Sequence, residues 1–296
     1  MCIGGVVMGF YYAFGQYYRF AAVEVADAAF RSRAISLVVA GGVAASILGP
    51  ETARWTRGLY EPAPFLGAFA ALSVFSLLTF LVMSFVQMPV AGQRQETVAA
   101  RPLAQIALQP AFIVAVLAGT LGYAAMQLVM VATPLAMAAN DFNFGNTTSV
   151  LESHVFGMFA PGFIAGALIA RFGVLNVISL GALLICISVA FAVTGIEFWN
   201  FLLAIFLVGV GWSLLFIAGT SLLTECCRPG EQAKAQGLND FLIFVSLTSA
   251  SLSAGFVLEF LSWNAVALVT LPMAVLIGLS TLWLMAKRRR EAQLAL

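Results

Sequence analysis

Nine apolar runs, each about as long as a helix needs to cross a bilayer, constrain this 296-residue chain more than any motif in it. A helix rising ~1.5 Å per residue needs about 20 apolar residues to cross a ~30 Å hydrocarbon core. The runs lie at roughly 3–22, 34–50, 63–86, 110–138, 150–170, 173–194, 199–223, 235–257 and 264–286. The second is the shortest and is expected to extend past Pro50, and the fourth is long enough to tilt or bend at Pro134. None alternates polar and apolar residues as a lumen-facing strand must, so a membrane barrel is excluded. Charged residues are only 9% of the chain and hydrophobic ones 62%, with a mean hydropathy of +1.01. A surface that poor in charge needs lipid to cover it, and the fold class is therefore an all-α polytopic membrane protein.

One long polar stretch interrupts the pattern. Residues 87–109 (QMPVAGQRQETVAARPLAQIALQ) hold Arg94, Glu96, Arg101 and two prolines, and read as a solvated connector on a membrane surface. Three runs precede it and six follow. If the connector is cytoplasmic, twelve bases fall on that side (Arg19, Arg31, Arg33, Arg94, Arg101, Arg171, Arg228, Lys234 and the run 287–290), and only Arg54 and Arg57 fall outside. That asymmetry is the one the positive-inside rule expects; the outer loops carry Glu51, Glu61, Asp141, Glu197 and Glu259 instead. The reading places the chain in the inner (plasma) membrane as a multi-pass protein, with connector and C-terminus cytoplasmic.

Several classes drop out. A net charge of +1 and the lack of a basic stripe with interleaved aromatics exclude nucleic acid as a partner. Cys2, Cys186, Cys226 and Cys227 have no zinc or disulfide spacing; they read as structural, with lipidation of the pair at 226–227 as the alternative. With a single histidine, no His-x-x-x-His, no Gly-x-Ser-x-Gly and no phosphate-cradling glycine loop, neither an enzyme nor a metal or cofactor site is expected.

The imbalance of three runs against six has a repeat behind it. The connector after the first run reads Glu24, eight residues, Arg33, Ala34; the one after the seventh reads Glu225, eight residues, Lys234, Ala235, at an offset of 201. Runs one to three then correspond to runs seven to nine, as two parallel repeats would make them. Residues 1–86 become part of an N-terminal lobe, helices four to six of twelve. Residues 87–109 are the cytoplasmic linker, and 110–296 form a complete six-helix C-terminal lobe with a short basic tail. Subtracting the offset places the counterpart of Pro110 about 90 residues before Met1, so three helices are expected to be missing.

Over its whole length the chain then resembles the major facilitator superfamily of secondary transporters. The family's loop signature between its eighth and ninth helices is echoed by Gly166, Arg171 and Gly173; the acidic position is Ala170 and the two trailing bases are Val174 and Leu175. Half of the family's antiporter signature stands at Ala45, Gly49 and Pro50, with Ala53 where a later glycine is expected, which points to export. Residues 123–137 (YAAMQLVMVATPLAM) and 236–241 (QGLNDF) also look like bacterial members. The resemblance implies transport of a small solute by alternating access.

Polar groups inside the runs are the site candidates, because an ionisable residue at the bilayer centre costs roughly 2.5–3.5 kcal/mol on insertion scales. Asp240, with Asn239 beside it, either couples protons to the cycle or caps a helix or pairs with Arg19. Tyr123 and Gln127 share one helix face with Met130 and Pro134, Tyr12 and Gln16 stand four apart on the first run, and Trp212 and Ser213 sit in the middle of the seventh. An aromatic and amide lining suits a small organic solute, giving Tyr12, Gln16, Tyr123, Gln127, Trp212 and Asn239 as solute contacts and Asp240 and His154 as proton-coupling candidates. His154 lies just inside the outer end of its run near Glu152, where an interfacial hydrogen bond is its alternative role. Plainer readings stand beside these: aromatics as packing, membrane glycines as close contacts, Gly173 as a tight-turn residue. The function expected is proton-coupled transport by a monomer, with an inactive truncated fragment as the alternative.

Overall fold

The computed structural model describes residues 101–228 and 230–294, most of 29–85 (not 57, 61, 64 or 65, nor the Pro50 side chain) and scattered positions among 4–27. The helices are α1 (Arg31–Ala40), α2 (Gly42–Thr56), α3 (Leu66–Ser84), α4 (Leu103–Ala107), α5 (Pro110–Ala139), α6 (Phe144–Phe159), α7 (Gly162–Phe172), α8 (Val174–Val193), α9 (Phe198–Glu225), α10 (Gln232–Phe260) and α11 (Trp263–Leu294). No strand occurs among the described residues. Taking α1–α2 and α6–α7 as single spans, eight stretches are long and apolar enough to cross a membrane, and they match the second to ninth runs. The first run lies mostly outside the described residues.

The last span, Trp263–Leu294, carries its run on eight residues through the basic tail, and two others differ in ways that matter here. Residues 34–50 belong to a span of 26 residues, Arg31–Thr56, which continues through Pro50 as expected. Residues 150–170 belong to Phe144–Phe172, broken at Ala160 and Pro161. The sequence reading starts this helix six residues late because Asn143, Thr147 and Thr148 look like loop. The Asn143 side chain instead accepts a hydrogen bond from the Asn146 N–H (2.9 Å) and caps the helix.

The core centres on α9. Every residue from Gly211 to Leu223 is buried, so this stretch is surrounded on all sides, and α5, α6 and α8 pack around it. The α8–α9 crossing depends on paired glycines: a Cβ on Gly181 would come within 2.9 Å of the Gly211 carbonyl, and one on Gly211 within 2.9 Å of the Gly181 carbonyl. Polar ends are fixed locally. Glu197 and Asn200 form a reciprocal capping box at the start of α9, a role the sequence reading gave only as an outer-loop charge. Gly173 takes φ +86 between α7 and α8, the tight-turn reading of that residue.

The connector is less solvated than expected at its end. Arg101 is largely covered and Ile106 in α4 is fully buried, while residues 102–105 and Leu108 stay exposed. By contrast α3 has no buried residue.

Candidate functional site

Four aromatic rings meet at mid-height of α9. Trp212 stacks on Phe216 (centroids 5.1 Å, planes 10° apart), while Tyr123 of α5 approaches the edge of both, at 5.0 Å from Trp212 and 5.5 Å from Phe216. Phe159, at the end of α6, approaches Trp212 at 6.5 Å. The spacing of α9 puts Trp212 and Phe216 on one face, and Gly122 beside Tyr123 lets α5 approach Leu215 closely. Trp212 is 3% exposed and Ser213 fully buried, yet the indole Nε1 and the Ser213 Oγ have no hydrogen-bond partner among the described residues. Of the sequence candidates, then, Tyr123 and Trp212 come together; Gln127, one turn along α5, is half-buried. Tyr12, Gln16 and Arg19 lie outside the described residues.

The second cluster is on α10. Asn239 and Asp240 are both buried, and the Asn239 Nδ2 donates to Asp240 Oδ1 at 3.0 Å. Asp240 has further engagement beyond that bond. Asn239 faces α5, its Oδ1 lying 3.6 Å from where a Cβ on Gly119 would sit. Both residues are within the first three turns of α10, about 12 Å along its axis.

His154 is not near the helix end. It stands ten residues into α6, about 15 Å along the axis, and is fully buried against α9, where its Nδ1 donates to the Ile205 carbonyl at 2.7 Å. That contact favours the hydrogen-bonding reading and moves it from the interface to the interior. Its Nε2 has no partner among the described residues.

A seam joins α1–α2 to α6–α7. A Cβ on Gly162 would come within 2.7 Å of the Ala40 nitrogen and one on Gly166 within 2.8 Å of Arg33 Cα, so both glycines are close-approach positions. Gly42 meets the Phe159 ring in the same way. At this end Ser32 of α1 also meets Ser221 of α9, their hydroxyls 2.8 Å apart. Toward the other end the seam opens into a cavity of about 360 Å³ between α2 and α6, lined by Ser46, Glu51, Ser149, Glu152 and Ser153 among others. Gly49, from the antiporter signature, has open space around it rather than a partner helix. Arg171 is exposed and lies over the Phe172 ring at 5.2 Å.

Sequence reasoning missed one polar knot. Glu231, at the start of α10, is 1% exposed and receives Arg101 Nη2 at 2.6 Å, Arg101 Nε at 2.8 Å, the Arg101 N–H at 3.1 Å and the Arg228 N–H at 2.9 Å. Arg101 Nη2 and Gln109 Nε2 also donate to the Cys226 carbonyl. The Arg101 guanidinium holds the Glu231 carboxyl down at about 2. Burial pushes the neighbouring Cys226 and Cys227 thiols up to about 12 and about 11, and each points back to a carbonyl of α9, which supports the structural reading over lipidation.

A bundle of membrane-length helices with aromatic and amide side chains gathered at its mid-height has the build of a solute carrier. Comparison with known proteins agrees: residues 115–295 match the model of the Major Facilitator Superfamily. The chain is 37% identical over 278 residues to the riboflavin transporter RfnT of Brucella anthropi, a match covering 93% of this chain and 70% of that protein. It is also 25% and 31% identical to YddS and YdeG of Bacillus subtilis, both uncharacterized MFS-type transporters, covering 39% and 35% of their lengths. The chain belongs to the Major Facilitator Superfamily, and is by class a membrane transporter and not an enzyme.

Proposed function

We propose that this protein moves a small, planar, aromatic solute of the flavin type across the bacterial inner membrane by alternating access. Tyr123, Gln127, Trp212 and Asn239 contact the solute, joined by Tyr12 and Gln16, and the protonation of Asp240 is linked to the cycle. The observation that carries this reading is the indole N–H of Trp212, buried without a partner among the described residues while its ring is held by Tyr123 and Phe216. A buried unsatisfied donor costs roughly 1–3 kcal/mol. A flavin-like ring system offers acceptors along its edge and a face to stack, which suits a donor embedded among aromatics. The name of the relative RfnT gives riboflavin as the first solute to test.

The domain reading belongs to the same proposal: residues 1–86 are half of an N-terminal lobe, 87–109 the cytoplasmic linker and 110–296 the C-terminal lobe, acting as a monomer. The half-matched antiporter signature at Ala45, Gly49 and Pro50 supports export. In proteoliposomes carrying the chain, riboflavin is expected to be carried in response to a proton gradient. Trp212→Ala is expected to weaken solute affinity by about ten-fold, the loss of an aromatic contact of about 1.4 kcal/mol. Asp240→Asn is expected to abolish dependence on the gradient while leaving solute exchange. Riboflavin binding without transport would favour the inactive-fragment alternative, and transport of riboflavin unaffected by Trp212→Ala would remove the aromatic cluster from the site.

A further inference from the structure

The last helix carries a site that the transport reading does not use. The buried residues of α11 are Trp263, Val266, Ala267, Thr270, Ala274, Ile277, Thr281 and Leu284, a stripe at helical spacing turned toward α5 and α8. One more turn along that stripe stands Arg288, whose Nη2 reaches Glu225 Oε2 of α9 at 3.2 Å. The opposite stripe is bare: Leu276, Leu279 and Trp283 are at least 50% exposed. At 100° per residue the positions that continue it are Lys287 and Arg290. Lys287 Nζ lies over the Trp283 ring at 5.8 Å, and Arg290 is exposed.

Depth follows from helix rise. Trp263 and Trp283 are twenty residues apart, about 30 Å at ~1.5 Å per residue, which is the thickness of the hydrocarbon core. Trp283, exposed on the bare stripe, has the placement of an interfacial tryptophan, whereas Trp263 at the other end is buried and donates its indole N–H to the Ala192 carbonyl. Lys287 and Arg290 then stand about 6 and 10 Å beyond the core edge, at the level of lipid phosphates. The acid nearest them, Glu291, is 3.9 Å from Lys287, and both side chains are well exposed. Such a pair holds Lys287 only weakly.

We propose that Trp283, Lys287 and Arg290 form a headgroup site for an anionic phospholipid on the outer face of α11. The acyl chains lie along Leu276 and Leu279, the indole sits at the glycerol level, and the two bases hold the phosphate and its uncompensated charge. Arg289, on another flank of the helix, and Arg288, held by Glu225, are not part of it.

The test uses the whole chain in detergent, titrated with phosphatidylglycerol or phosphatidylcholine and read by native mass spectrometry. Tighter retention of phosphatidylglycerol is expected, falling roughly five-fold with each of Lys287→Gln and Arg290→Gln. Arg289→Gln leaves it unchanged and so separates a site from a general charge effect. Quenching of Trp283 fluorescence by brominated phosphatidylglycerol, judged against Trp283→Phe, gives a second measure in the bilayer. Equal retention of the two lipids, equal losses for Arg289→Gln and Arg290→Gln, or displacement by inorganic phosphate in place of lipid would each overturn the site.

Discussion

Glu231 is tightly held. Its carboxylate accepts four hydrogen bonds from Arg101 and Arg228, and its pKa falls from 4.5 to about 2. A depressed carboxylate stabilises the fold wherever it is ionised in both states, and that contribution disappears as pH falls from about 4.5 to about 2. Thermal unfolding in detergent should therefore show an apparent Tm that drops across this window. Glu231→Gln should lower Tm at neutral pH and flatten the acid slope; a variant with the same slope as the parent would remove the knot from the stability of the lobe. Nothing in the sequence marks this pair, because Arg101 and Glu231 are 130 positions apart and only folding brings them together. Tyr123 and Trp212 were legible for the opposite reason. Each carries a polar N–H or O–H in the middle of a long apolar run, which favours the bundle interior over lipid, whereas the apolar Phe75 and Phe80 of α3 stay exposed; their mutual contact is a property of the fold. His154 was misplaced because the start of its helix was misread, which shifts its depth by about two turns.

Helix existence was written in hydrophobic run length, and helix breaks were not. The break at Pro161 has a local cause in its missing N–H, while the break at Gly41 has no such mark, and the two meet across the seam where Gly162 abuts Ala40 and Gly42 abuts Phe159. On one side of these breaks α1 and α7 touch backbone to backbone; on the other α2 and α6 diverge around the cavity beside Glu51 and Glu152. The glycines set how closely α1 and α7 approach, since a Cβ on Gly166 would sit 2.8 Å from Arg33 Cα. Overpacking of this kind costs about 1–3 kcal/mol and here is relieved by separating the helices. Oxidative cross-linking of Ser32→Cys in α1 with Ser221→Cys in the neighbouring α9, on a background without the native cysteines, measures how closely α1 is held to the bundle beside this seam, as those hydroxyls are 2.8 Å apart. Gly166→Leu should cut the cross-linked fraction severalfold. An undiminished yield would mean that the seam does not depend on the small residue.

At the scale of the whole molecule the question is which way the bundle stands in its membrane. From α5 to α11 the chain makes six crossings, so residue 101 and the tail share one face and the turns at 140–143, 194–197 and 261–262 share the other. All eight bases from residue 101 onward (Arg101, Arg171, Arg228, Lys234 and 287–290) fall on the first face, and none on the second, which carries Asp141 and Glu197. Basic residues near membrane segments are retained on the cytoplasmic side during insertion, whereas acids contribute little to the choice. The run of eight against none is therefore strong grounds for a cytoplasmic connector and tail. The expected Glu24 and Glu225 correspondence cannot serve as the check, because Glu24 lies outside the described residues. Single cysteines do serve: on a cysteine-free background in intact cells, Asp141→Cys should react with a membrane-impermeant maleimide added outside, while Glu291→Cys should react only after the membrane is opened. The charge argument is specific enough to be reversed by charge, since moving bases to the turn at 140–143 with Asp141→Lys and Asn143→Lys should reduce outside labelling of a cysteine at position 196. Outside labelling of Glu291→Cys in the unaltered bundle would invert the molecule, and with it the side from which the cavity between α2 and α6 opens.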